Sequence, residues 1–178
     1  MHRNAPLVIV FLIVLTSLCS TITYVRNAVW HDRISLLEDI IRQSPLKARA
    51  YYNLGNAYGK LKQPERAIEL YSNAIALDPR HAGSLINRGN LYDEKGEYGK
   101  AILDYNAAIS INPEDDYAYY NRGIAYNKIG RKDAARDDYR RSCQLGNSAS
   151  CEALQATEAP YRKAGKGTDL AVKPFPHE

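Results

Sequence analysis

Polar and apolar positions are distributed along this chain in two different ways. From Asn4 to Val25 no charged residue occurs, and the core Leu7-Val-Ile-Val-Phe-Leu-Ile-Val-Leu-Thr-Ser-Leu-Cys19 is almost wholly apolar. As a helix this stretch would reach about 33 Å, the thickness of a bilayer core. Further along, apolar positions recur at helical spacing, and Gly and Pro punctuate the segments. The pattern predicts helices throughout and no strand.

The helical part is periodic at a longer scale. At an interval of 34 residues Gly55, Gly89 and Gly123 fall in phase, as do Tyr58, Tyr92 and Tyr126. The same interval aligns Ala67, Ala101 and Ala135; Tyr71, Tyr105 and Tyr139; and Ala74, Ala108 and Ser142. Pro79 and Pro113 close the first two units, with Asn147 at the equivalent place in the third. Glycine inside a helix costs about 1 kcal/mol relative to alanine, so its return at one phase points to a close approach of two helices. We expect the in-phase alanines to supply the small facing surface and the tyrosines to fill the wider gaps. Pro45 lies 34 residues before Pro79, so Arg33 to Pro45 reads as the second helix of a degenerate unit.

This period and pattern resemble the tetratricopeptide repeat, a helix-turn-helix unit, over Ala48 to about Asn147. The resemblance implies an all-α solenoid of three repeats plus capping helices, which the apolar span would place behind an N-terminal transmembrane helix. The expected parts are an anchor or signal segment (1–25), a junction with a half-repeat helix (26–47), and repeats over 48–81, 82–115 and 116–149. A capping helix (150–158) and a flexible tail rich in Pro, Gly and Lys (159–178) follow.

For the apolar span two readings compete, with a buried soluble helix as a third. A cleaved signal peptide would want small residues before its cut site, and Ser17-Leu-Cys19 or Leu18-Cys-Ser20 match only fairly. A lipoprotein site would want a small residue before Cys19, where Leu18 stands. An uncleaved anchor fits better, because Thr21 to Val25 continues the span. The stretch from Tyr24 to Leu37, running into Ser44-Pro45 and Arg49 to Gly55, is similar to the boundary between the last transmembrane helix and the repeats of O-mannosyltransferase-related proteins. That resemblance implies repeats facing the lumen or periplasm. With a single span, the catalytic membrane domain of that family is absent.

Composition narrows the chemistry. The net charge of +4 over 178 residues is diffuse, with no concentrated basic face, and nucleic acid is not an expected partner. His2, His31, His81 and His177 are scattered, with no metal-ligand spacing, so neither metal nor cofactor is expected. The adjacent pairs Asp115-Asp116 and Asp137-Asp138 read as solvated surface. No nucleophile has a base placed beside it, and we expect no enzyme.

Binding is better supported. Asn53, Asn87 and Asn121 repeat two residues before each in-phase Gly. Their amides can donate and accept together, which suits an extended peptide backbone. The pattern is similar to the asparagine ladder of O-GlcNAc transferases; an equally open reading is that these amides serve neighbouring helices. Nearby inner positions would include Tyr52, Asn56, Asn90, Tyr120 and Asn127. Chaperone-binding repeats of this class clamp a C-terminal carboxylate. Here Asn56 and Asn87 match that clamp, but Tyr52, Tyr117 and Asn121 replace its basic groups. The expected ligand is therefore a polar or aromatic peptide segment.

Cys143 and Cys151 flank a Leu-Gly-Asn-Ser turn symmetrically about Asn147. On an antiparallel helix pair such positions face one another, so a disulfide is expected, with buried thiols or metal or redox chemistry as the alternatives. The spacing also resembles Sel1-like repeats of secreted bacterial proteins. A disulfide would place the repeats in an oxidising, extracytoplasmic compartment. Arg26, Arg33 and Arg42 after the span, against Arg3 before it, point the other way. The expected function is a membrane-anchored scaffold holding a protein or peptide in its groove. The alternative is an accessory, substrate-presenting subunit of a membrane glycosyltransferase.

Overall fold

The structure is a computed structural model that describes the backbone of residues 5–163 and the side chains of residues 12–22, 24 and 33–158. Eight α-helices, and no strand, occupy the described residues. They are α1 (Ala5–Gln43), α2 (Ala48–Lys60), α3 (Pro64–Leu77), α4 (Ala82–Glu94), α5 (Tyr98–Ile111), α6 (Asp116–Lys128), α7 (Lys132–Gln144) and α8 (Ser148–Lys163). The chain divides into two compact units, residues 1–84 and 85–178.

In the first unit α1 packs on α2, and α2 on α3. Ile34 and Leu37 of α1 are buried, together with Leu54, Ala57, Ala67, Tyr71 and Ala74. The Tyr58 hydroxyl donates to Glu38 Oε1 at 3.1 Å. The residues expected as a half-repeat helix before Pro45 are the C-terminal part of α1, with no boundary of their own. From Leu7 to Gln43 there is neither Gly nor Pro, so nothing interrupts the backbone ladder of α1. Among the described residues no helix is long and apolar enough to cross a membrane. The side chains of residues 1–11, where the expected anchor begins, lie outside them. Leu12, Ile13, Val14, Leu15, Leu18 and Ile22 are all exposed, between 43% and 61%.

In the second unit α5 packs on α6, α6 on α7 and α7 on α8. Ala101, Tyr105 and Ala125 form one buried cluster, and Ala135, Tyr139 and Leu154 another. The close approach expected at the in-phase glycines is present, with a different partner. A Cβ added to Gly55, Gly89 or Gly123 would stand 2.7, 2.8 or 2.7 Å from the ring of Tyr71, Tyr105 or Tyr139. The tyrosine ring therefore lies on the glycine itself, and the alanines fill the core around it. The turn within each repeat needs a left-handed residue: Gly96 and Gly130 have φ of 77° and 78°, and Lys62, in phase with them, has 57°.

Of the aspartate pairs expected as solvated surface, Asp137 is exposed and the other three are half-buried or buried. Asp137 is exposed and pairs with Arg140. Asp138, about 100° around the helix, is buried against Arg122. Asp115 caps α6 by accepting from the Ala118 amide at 3.0 Å, and Asp116 Oδ2 accepts from Asn147 Nδ2 at 2.9 Å.

The last repeat is closed by α8. Asn147 Oδ1 accepts from the Ser150 amide at 3.0 Å, the geometry of a helix N-cap. The Ser150 hydroxyl donates to Ser142 Oγ at 2.6 Å, and Ser142 Oγ donates to the Asp116 carbonyl at 2.7 Å. Cys143 and Cys151 are joined in a disulfide with a Cα–Cα distance of 4.8 Å. The cap is longer than predicted: residues 159–163 of the expected tail continue α8, and 164–178 lie outside the described residues.

Candidate peptide-binding cleft

A polar cleft lies in the second unit. It holds about 190 Å³ between α4 and α6 and is lined by Asn90, Asp93, Glu94, Tyr105, Asn121 and Ile124. Tyr105 rises from α5 as its floor because Gly89 leaves room for the ring. The Tyr105 hydroxyl donates to Asn90 Oδ1 at 2.8 Å, and Asn121 Nδ2 donates to the same oxygen at 3.0 Å. Asn90 is thereby fixed in one amide orientation by partners on two other helices. Asp93 Oδ2 accepts from Lys128 Nζ at 2.7 Å, whereas Asp93 Oδ1 is buried without any partner.

The electrostatics follow from these carboxylates. Burial pushes the Tyr105 hydroxyl pKa up, and the negative charges of Asp93, Asp104 and Glu94 push it further. Tyr139 is pushed up to about 12, by burial first and then by Tyr120, Asp138 and Asp93. Both hydroxyls remain donors over the whole neutral range. Between α4 and α5 Arg88 forks onto Asp104 with bonds of 2.8 and 2.7 Å, and between α6 and α7 Arg122 forks onto Asp138 with 2.8 and 2.6 Å. The hydrogen bonds that the guanidiniums donate to these carboxylates raise the pKa of each arginine.

Of the residues expected to bind, Asn90 and Asn121 meet in the cleft. Asn87, on α4, and Tyr120, on α6, are half-buried, and Tyr120 stacks on Tyr139 with centroids 6.1 Å apart. Asn127 is exposed on the last turn of α6. In the first unit Tyr52 lies against Tyr71 and His81, and Asn56 Oδ1 accepts from the Tyr71 hydroxyl at 2.7 Å. Asn53 is half-buried on α2. Asn56 and Asn90 thus orient the buried tyrosines through their carbonyls. Sequence reasoning missed Asp93 altogether, because Gly59 and Asn127 occupy its phase in the other repeats. It also missed the two Arg–Asp pairs, although Arg88 and Arg122, like Asp104 and Asp138, repeat at 34 residues. Among the described residues no group of His, Cys, Asp and Glu is placed to hold a metal ion.

Four tetratricopeptide repeat models match, over residues 48–81, 70–102, 89–130 and 116–145. The chain belongs to the tetratricopeptide repeat family. Among solved structures, a tetratricopeptide repeat fold is shared with MamA at 32% identity and a TM-score of 0.63, covering 69% of this chain and 72% of that one. The first TPR of Spaghetti (RPAP3), bound to the HSP90 peptide SRMEEVD, aligns at 26% identity with a TM-score of 0.62, over 65% of this chain and 94% of that one. The second TPR of the same protein, bound to the same peptide, aligns at 30% identity and 0.55, over 56% and 92%. No curated protein matches the chain. The chain is a tetratricopeptide repeat scaffold that resembles peptide-binding domains of its family.

Proposed function

We propose that the repeats bind an extended peptide segment of a partner protein, without catalysis, and that α1 tethers them to a membrane. The observation that carries the first part is the cleft between α4 and α6, whose asparagine and tyrosine groups are oriented before any ligand arrives. Pre-oriented donors and acceptors lower the cost of ordering a peptide on binding. The likeness to repeats solved with a bound peptide supports the same reading. A peptide array probed with the full chain in detergent micelles tests it. Binding that falls when Asn121→Ala removes the amide supports the reading, and an array without any bound segment refutes it.

The tether is supported by the apolar run of α1. Its hydroxyls at Thr16, Ser17 and Thr21 bond back to carbonyls of the preceding turn, at 3.0, 2.9 and 2.8 Å. These bonds satisfy the hydroxyls of Thr16, Ser17 and Thr21 within the helix, as a hydrocarbon surrounding requires. The Cys143–Cys151 disulfide supports an extracytoplasmic location. Protease protection in sealed membrane vesicles tests the placement: repeats digested only from the cytoplasmic side would overturn it.

A further inference from the structure

The cleft has a sign as well as a shape. Asp93 and Glu94 contribute two carboxylates, and Lys128, paired to Asp93 at 2.7 Å, contributes one ammonium. Glu94 stands exposed on α4 with no cation paired to it among the described residues. The Asp104 carboxylate behind Tyr105 is already matched by Arg88. The cleft thus carries one uncompensated negative charge beside a buried carboxylate oxygen, Asp93 Oδ1, that accepts from nothing. That oxygen is closed to solvent, so a cation in the cleft offsets its desolvation cost through space, while the exposed Glu94 carboxylate is open to direct contact. Lys128 shows what this carboxylate accepts: an alkylammonium, reaching in from α6 with its side chain 41% exposed. Asn90 Oδ1 is occupied twice, so the polar wall beside Asp93 is held in place and need not rearrange.

A peptide carboxylate meets the opposite situation. It would enter beside Asp93 and Glu94, and Lys128 is already engaged with Asp93. Like charges in a partly desolvated cleft reject the wrong ligand more strongly than a missing contact does. Resting on the peptide-binding reading above, we propose that this cleft receives the lysine or arginine side chain of the bound segment. Asp93 and Glu94 are its counter-charges, and Asn90 and Asn121 form its polar wall.

The test uses the full chain in detergent micelles and three labelled, end-blocked Gly-Ser nonapeptides carrying Lys, norleucine or Glu at the centre. Fluorescence anisotropy should rank Lys at least tenfold tighter than norleucine, with Glu weakest. The net charge of the chain is +4, so its overall field favours the Glu peptide and cannot produce this order. Asp93→Asn, the residue found in phase at Asn127, should reduce the Lys preference to under threefold without changing the melting temperature of the repeats. Lys128→Met, which removes the internal competitor, should tighten the Lys peptide. If all three peptides bind equally, or Glu binds best, the charge assignment falls while peptide binding stands. A Lys preference unchanged in Asp93→Asn also overturns it, and if no peptide binds, both readings fall.

Discussion

The first repeat and the third solve the same packing problem with different chemistry. In the third, Arg122 and Asp138 cross from α6 to α7 as a forked pair, their side chains 18% and 7% exposed. At the corresponding places of the first repeat stand Leu54, buried, and Leu70, half-buried. The second repeat, with Arg88 and Asp104, follows the third. Around these positions the tyrosine-on-glycine contact is common to all three. A fold that accepts either filling at one site shows that the pair is not needed to close the helix-turn-helix. A buried pair recovers through its own bonds roughly what it loses in hydration, and well-packed apolar residues do as well.

The largest effect should come from breaking that pair on one side. Asp138→Leu leaves Arg122 buried and uncompensated and should cost about 3–5 kcal/mol. Adding Arg122→Leu, which copies the first repeat, should return stability to within about 1–2 kcal/mol of the parent or above it. Urea unfolding of both variants checks this, and a double variant as weak as the single one would show that the repeats are not interchangeable.

The disulfide is a feature the third repeat alone has. Replacing Cys143 and Cys151 by Ser should cost about 2–3 kcal/mol, from the loop-closure entropy of a short loop. Hydrogen exchange should report the loss in α7 and α8, with α2 and α3 unchanged. Packing should respond alike in every repeat. Gly55→Ala and Gly123→Ala each force a methyl group into a tyrosine ring and should cost about 1–3 kcal/mol, overpacking a filled core. Unequal costs would mean that one ring yields where the other cannot.

Two smaller substitutions sharpen the contrast. Asn90→Ile copies Ile124 of the third repeat and removes the acceptor of the Tyr105 hydroxyl, which should cost about 1 kcal/mol in thermal unfolding. Lys62→Gly copies Gly96 and Gly130 at the left-handed turn position. It should gain about 0.5–1 kcal/mol, the relief of a side chain held at positive φ less the added chain entropy of glycine.

Much of the scaffold was legible because it recurs. Gly55, Gly89 and Gly123 announced a close approach three times over, and their agreement in phase excluded coincidence. The partner was misjudged, since a helix period says which face is crowded but not which residue of the next helix fills it. The same limit hid the Asp138 pair. Adjacent aspartates on one helix must point about 100° apart, and only the position of α6 shows that one of the two directions leads inward. Asp93 was invisible for the opposite reason: it does not recur, and its importance lies in a buried oxygen without a partner.

The sequence by itself determined the repeat length, the helix-turn-helix order, the phases at which Gly and Tyr recur and the placement of Cys143 and Cys151 about a turn. These are local or periodic properties, set by residue type and spacing along one chain. Only the tertiary structure decided that Asn90 is fixed by Tyr105 and Asn121, that Arg122 finds Asp138, and that the cleft between α4 and α6 is negative. Each of these depends on which side chains from separate helices meet away from water, where an unmatched charge or an unmade hydrogen bond is costly.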